Sequence, residues 1–289
     1  MKRCSRVSVL TATLAGISVG QPFPAWTIGT YSVNKYSDNG GGGDLSKQVL
    51  MALNFFEKGE ATLRLAYPNT GGGQPFHTEL WDYKDFEVTR DAVIGRNQPA
   101  PYLRETAHFV YFGGHGYRAH PSGHPTSSLY LGGNEKKYGE VTPDSLPMGT
   151  GNNRWFMAHS CVLFPITPTS SGSATAQSVW APSFQGLKAM LAFESFVPEY
   201  SDGAELFDNF WAYYIEYKWG LWESFYQAQF DEGYDHLGAG LHPSCLSAAG
   251  QDYCDEKFEQ TNLDPAGSPG EVDAYHTQSM GVPSYPRLP

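Results

Sequence analysis

The sequence is short of charge, short of cysteine and without a long apolar run, and each shortage narrows what the chain can be. The mildly apolar stretch Val7 to Val19 falls short of the roughly 20 residues a spanning helix needs, which excludes a membrane-spanning segment there. Only 17% of the 289 residues are charged, and 19 Lys and Arg stand against 30 Asp and Glu, a net charge of -11. That field repels phosphates and anionic membranes and argues against a nucleic-acid partner. An internal repeat is missing, and so is the G-x-S-x-G elbow of serine hydrolases. What is present in quantity is apolar and aromatic residues, 40% and 15% of the chain, together with 32 Gly and 20 Pro. This is the composition of a folded enzyme-sized domain with long connections, not of a helical bundle or a disordered chain.

The four cysteines divide by position. Lys2, Arg3 and Arg6 precede the Val7 to Val19 run in the order of a secretory signal, although Ser8, Thr11, Thr13 and Ser18 dilute it and no Ala-x-Ala site stands before Trp26. Residues 1–25 are therefore expected to be a signal peptide and the protein secreted or periplasmic. The alternative is a cytoplasmic protein with a loose start or an N-terminal strand. Cys4 leaves with such a signal. Cys245 and Cys254 lie close enough in a Gly/Ser-rich stretch to close a small disulfide loop. Cys161 then stays outside a disulfide, either buried and inert or kept reduced for chemistry.

Apolar patterning predicts one α/β domain over 26–232 with a mainly parallel sheet, followed by an irregular extension over 233–289. Trp26 to Val33 reads as a strand and Asn34 to Gly43, with four consecutive glycines, as a flexible or ligand-adapted loop. Asp44 or Ser46 is expected to cap a helix carrying Val49, Leu50, Leu53, Phe55 and Phe56, which Gly59 stops. Ala61 to Tyr67 reads as a second strand and Leu80 to Val93 as mixed. The runs His108 to Phe112, Leu129 to Leu131, Trp155 to Ala158 and Met190 to Phe196 read as strands. A short helix is expected over Phe184 to Ala189, one from Asp202 to Trp219, and another over Trp222 to Phe230.

Two of these strands end alike. One apolar run is followed by Gly113-Gly114-His115-Gly116, the other by His159-Ser160-Cys161. In open α/β sheets ligands bind beyond the carboxyl ends of strands, where neighbouring loops converge. A thiol needs a base to become a nucleophile, and an imidazole serves while later protonating the leaving amine. Gly116, without a side chain, lets its N–H approach a developing oxyanion beside the N–H of Cys161. The 46 residues from His115 to Cys161 come close to the roughly 50 by which the caspase signature sets its His before its Cys.

The stretches HFVYFGGHGY, RWFMAHSC, FQGLKAMLAFES and DGAELFDNFW resemble a bacterial family known only as domain of unknown function 6345, which is similar to the caspase, gingipain and legumain clan of cysteine peptidases. The resemblance spans Trp26 to Phe230. It implies a caspase-like three-layer α/β/α sandwich and a cysteine endopeptidase, with His115 as acid/base, Cys161 as nucleophile, Gly116 at the oxyanion, and no cofactor. It also admits transpeptidation, in which an amine replaces water. Many relatives with related chemistry carry an acidic residue two positions before the Cys, where it helps bind a basic substrate side chain; this chain has His159 there, so His159 and Ser160 are expected at the substrate without an implied basic preference, and Glu194 is either an alternative negative wall of the pocket or a partnered structural carboxylate. The implied partner is a peptide or protein; oligomeric state is not legible.

Two other readings fit the same residues. His115, His120 and His124, with His108 or His159, offer zinc ligands for a metal-dependent hydrolase, though in a Gly/Pro loop they share no fixed face. The loops at the strand ends also suit a catalytically inactive caspase-shaped module that holds a partner.

Overall fold

The computed structural model describes residues 27–36, 43–66, 79–94, 107–117, 127–132, 140–149, 153–161, 163, 179–187, 189–193, 203–233, 238–243 and 275–279. The expected signal peptide, Cys4, Cys245, Cys254, His120, His124, Glu194 and Asp202 lie outside these residues.

Five strands pair in parallel: β1 (Thr27–Ser32), β2 (Glu79–Lys84), β3 (Phe109–Gly113), β7 (Trp155–His159) and β8 (Ala189–Phe193). Their order across the sheet is β8-β7-β3-β1-β2. Between β3 and β7 the chain forms a small antiparallel sheet of β4 (Gly116–Tyr117), β5 (Ser128–Tyr130) and β6 (Glu140–Val141). Residues 233–289 were expected to be irregular. Among the described residues of that stretch, β9 (Gly238–Pro243) and β10 (Tyr275–Ser279) extend the main sheet beyond β8 as antiparallel strands, so these two segments belong to the sheet. Backbone pairing places them there, and a run such as GAGLHP, with Ala239 and Leu241 set among glycines and a proline, is poor in the residue types that announce a strand.

The central strands are buried on both faces, which is why they read as continuous apolar runs. Ile28, Phe109, Tyr111, Trp155, Met157, Leu191 and Phe193 face one core. Tyr31, Val110, Phe112, Phe156, Ala158, Met190 and Ala192 face the other. The period of two assigns neighbours to opposite sides. The first core is covered by α1 (Gln48–Ala66), α3 (Ala204–Trp211) with the π-helical turn Ala212–Glu216 that continues it, and α4 (Leu221–Asp231). The second is covered by α2 (Arg90–Ile94), the small sheet and short 3-10 turns. The expected α/β arrangement, a mainly parallel sheet with helices on both faces, is the one observed.

Helix α1 departs from expectation in an informative way. It runs through Gly59 and takes in Ala61 to Ala66, the segment expected to be a strand. Gly59 is no stop signal but a contact: a Cβ there would lie 2.7 Å from the ring of Trp211 and 3.0 Å from Cδ1 of Ile28. The Trp211 indole is locked in turn, donating from Nε1 to the Phe55 carbonyl at 2.9 Å. Phe55 itself packs against Phe109, Tyr111, Phe207 and Phe210, so the glycine lets α3 close onto the aromatic centre. Asp44 does not cap α1 either, since the Val49 N–H is taken by Asn34 Oδ1 at 3.0 Å. The expected helix over Phe184 to Ala189 is absent, and Phe184 forms a bridge with Met148 instead.

Gly59→Val is expected to cost about 2 kcal/mol or more through overpacking against a ring that cannot retreat, read as a lower denaturation midpoint. A second expectation concerns His108, whose Nδ1 accepts the Thr27 N–H at 3.2 Å. Burial, with the Arg154 charge nearby, lowers its pKa to about 4. The unfolded chain therefore binds this proton more readily, and the stability it contributes, full above pH 6.5, is lost as pH falls toward 4. The midpoint of His108→Gln should show less of this acid loss than the wild type over that window.

Candidate active site at the carboxyl ends of the parallel strands

The pairing register sets the site. Ser32 of β1 lies opposite Gly113 of β3, and Gly113 opposite His159 of β7, so three strands end on one line. Just beyond it, the Gly114 N–H donates to the His159 carbonyl at 3.3 Å, holding the two following loops together. His115 and Cys161 are the next residues outward, and both are partly exposed. Cys161 is in no disulfide.

Gly116 joins the loops. A Cβ at this position would stand 2.3 Å from the Cys161 carbonyl oxygen and 2.5 Å from Ser160 Oγ. Only a residue without a side chain lets the chain that carries His115 lie against the chain that carries Cys161. The other side of the loop is held by β5, whose Tyr130 N–H donates to the His115 carbonyl at 2.9 Å.

The imidazole is oriented by the segment between β1 and α1. His115 Nε2 lies 2.8 Å from the Gly43 carbonyl oxygen. A carbonyl only accepts, so the neutral ring carries its proton on Nε2 and presents Nδ1 as the basic nitrogen. The His115 backbone N–H donates to the Tyr36 hydroxyl at 2.6 Å, and the two rings lie 4.8 Å apart, tilted by 38°. Tyr36 packs toward the α2 side of the sheet and Cys161 toward the α1 side. Among the described residues no hydrogen bond joins His115 to Cys161.

Below this layer lies a buried polar row. His159 is 3% exposed, Ser160 1% and Gln48 2%. Gln48 Nε2 approaches His159 Nδ1 at 3.4 Å, and a Cβ on Gly113 would meet Gln48 Oε1 at 2.6 Å. His159 also sets its ring edge against Phe193, 5.5 Å between centroids. The first turn of α1 is thus fastened across the ends of β3 and β7 by a glutamine, and His159 and Ser160 form the floor of the site, not its rim.

Sequence reasoning singled out His115, Gly116 and Cys161, and the structure brings their two loops into contact. It missed Tyr36, Gly43 and Gln48. The available signal was the glycine run between Asn34 and Asp44, whose length marked the loop without saying what it touches. Of the residues considered for zinc, His108 precedes β3 while His115 follows it, which puts them at opposite ends of one strand. Among the described residues no group of three or more His, Cys, Asp or Glu could hold a metal ion, and no helix is long and apolar enough to cross a membrane.

Fold and site define a class: an α/β protein with an imidazole and a thiol carried on adjoining loops at the carboxyl edge of a parallel sheet. The chain belongs to the family described as domain of unknown function (DUF6345), whose family model matches residues 78–234. No curated protein matches it. Among solved structures, protein GSU0716 from Geobacter sulfurreducens is similar at 13% identity and a TM-score of 0.38, covering 72% of this chain and 89% of that one. A secreted C11 cysteine protease from Bacteroides thetaiotaomicron, "iotapain", is similar at 12% identity and a TM-score of 0.38, covering 76% and 67%. Scores this low carry no chemistry across, and the fold is read from the strand pairing itself.

Gly116→Ala is expected to cost about 1–3 kcal/mol, because its Cβ meets backbone that cannot yield, and to shift the amide resonances of Ser160 and Cys161. Gly43→Ala is the control, with nothing within 4 Å of its Cβ, and should leave the midpoint unchanged.

Proposed function

We propose that the protein is an exported cysteine endopeptidase of caspase-like design, working through His115 and Cys161. The observation that carries this reading is the packing of Gly116 on the Cys161 backbone, which brings the histidine loop and the cysteine loop to one place. The Gly43 carbonyl supports it by holding the imidazole in the tautomer whose Nδ1 is basic.

In the proposed cycle His115 Nδ1 takes the Cys161 proton, and the thiolate adds to a peptide carbonyl. The Gly116 and Cys161 amides stabilise the oxyanion. The imidazolium then protonates the departing amine, leaving a thioester on Cys161. Water, deprotonated by His115, attacks that thioester and releases the acid, restoring the thiol. An amine in place of water gives transpeptidation by the same steps. No cofactor enters. His159, Ser160 and Glu194 are assigned to the substrate side, the first two as the floor beneath the scissile bond. Closure of the dyad requires the imidazole and thiol to approach on substrate binding, since apo geometry at such sites is often loose.

The second reading, an inactive module that holds a peptide or protein, is favoured by the packing of Cys161 toward one face of the sheet and of Tyr36, whose ring covers the imidazole, toward the other. One set of measurements separates the two. Alkylation of Cys161 near pH 6.5 by a peptidyl acyloxymethyl ketone, which occupies the substrate's place, should be roughly 10²-fold slower in His115→Ala than in the wild type, the scale on which a positioned base acts. A peptide library should be cut by the wild type and not by Cys161→Ala. Equal alkylation rates with an uncut library would establish the inactive module.

A further inference from the structure

We propose that Asp44 is a positioning residue for His115, closing the chain between Tyr36 and Asp44 into a loop whose two ends grip the histidine. This rests on the reading of His115 as the acid/base, and extends it to a residue that touches neither the histidine nor the thiol.

Both contacts that orient His115 come from the immediate neighbourhood of Asp44. At one end, the Tyr36 hydroxyl accepts the His115 backbone N–H at 2.6 Å and its ring covers the imidazole. At the other, the carbonyl of Gly43, one residue before Asp44, takes Nε2 at 2.8 Å. Asp44 ties these ends together. Its Oδ1 accepts the Tyr36 backbone N–H at 3.1 Å and its Oδ2 pairs with Lys35 Nζ at 2.8 Å. The start of the segment is anchored separately, with the Asn34 and Lys35 N–H groups both donating to Asp85 Oδ1 at 2.7 and 2.8 Å. The Leu45 N–H donates to the Asn34 carbonyl at 2.8 Å and draws the two ends of the segment together, and within that closure the Asp44 carboxylate sets Tyr36 relative to Gly43.

The need for such a closure follows from the sequence. Residues 40–43 are all glycine, the residue with most backbone freedom to lose on ordering. The Asn34–Leu45 backbone bond brings the ends near each other, and the Asp44 bond to the Tyr36 N–H adds the constraint nearest the two groups that touch His115. The two bonds of Asp44 contribute unequally. The pair with Lys35 joins side chains that are 59% and 48% exposed, and exposed pairs contribute little. The bond to the Tyr36 N–H is a charge-assisted bond to fixed backbone, and it sets the geometry. Asparagine keeps an acceptor at that place and alanine does not.

The test reads the histidine directly. Imidazole nitrogen NMR on protein labelled at histidine should show His115 of the wild type as the Nε2-protonated tautomer. Asp44→Ala should mix the tautomers and slow Cys161 alkylation by about tenfold, the scale of a small misplacement of a reacting group. Asp44→Asn and Lys35→Met should both stay within about twofold of the wild type, as removal of an exposed ion pair alone predicts. Because Asp44 is exposed, denaturation midpoints should change little across the set. An unchanged tautomer signal in Asp44→Ala would overturn the proposal, as would Lys35→Met matching Asp44→Ala. If the tautomers mix while alkylation is indifferent to His115, the positioning role stands and the peptidase reading falls.

Discussion

Everything at the candidate site depends on the parallel pairing of β3 with β7, which sets Gly113 opposite His159. A slip of one residue would turn every side chain of a strand to the other face and exchange the two cores. The pairing resists this because Phe109 stacks on Trp155 with 4.4 Å between centroids, and both rings belong to the core under α1 and α3. The register at the functional edge is therefore held from the buried middle of the sheet. The loops that carry His115 and Cys161 adjoin as a consequence of aromatic packing several residues away.

Glycine does two kinds of work in this fold. At Gly59 and Gly116 it permits contact, first between α1 and the Trp211 ring, then between the histidine loop and the Cys161 backbone. At Gly43 it presents a bare carbonyl to the imidazole, and the hydrogen bonds of Asp44, Asp85 and Asn34 fix the described residues on either side. The polar row beneath, with Gln48 reaching His159, fastens α1 to the strand ends.

The legible parts of the sequence were those whose signal is local. Phe109 to Gly113 and Trp155 to His159 stood out because strands buried on both faces are unbroken apolar runs closed by glycine or a polar pair. Helix α4 and the start of α3 followed from their spacing. Gly59 was misread because a glycine that stops a helix and one that admits a neighbouring ring look the same until the partner, 152 residues later, is known. The strands of the extension were hidden because backbone pairing, not patterning, makes them. At the site, His115, Gly116 and Cys161 were visible as strand-end chemistry. Tyr36, Gly43 and Gln48 were not, since each acts across a sequence separation of 72 to 111 residues.

The central claim is that His115 and Cys161 serve one reaction. The most direct measurement is a crystal structure of the protein after reaction with a peptidyl acyloxymethyl ketone. The account predicts a covalent bond to Cys161 Sγ, the inhibitor carbonyl oxygen at the Gly116 amide, and His115 Nδ1 turned toward the adduct with Nε2 still on the Gly43 carbonyl. An unmodified Cys161, or an adduct with the imidazole directed elsewhere, would contradict it.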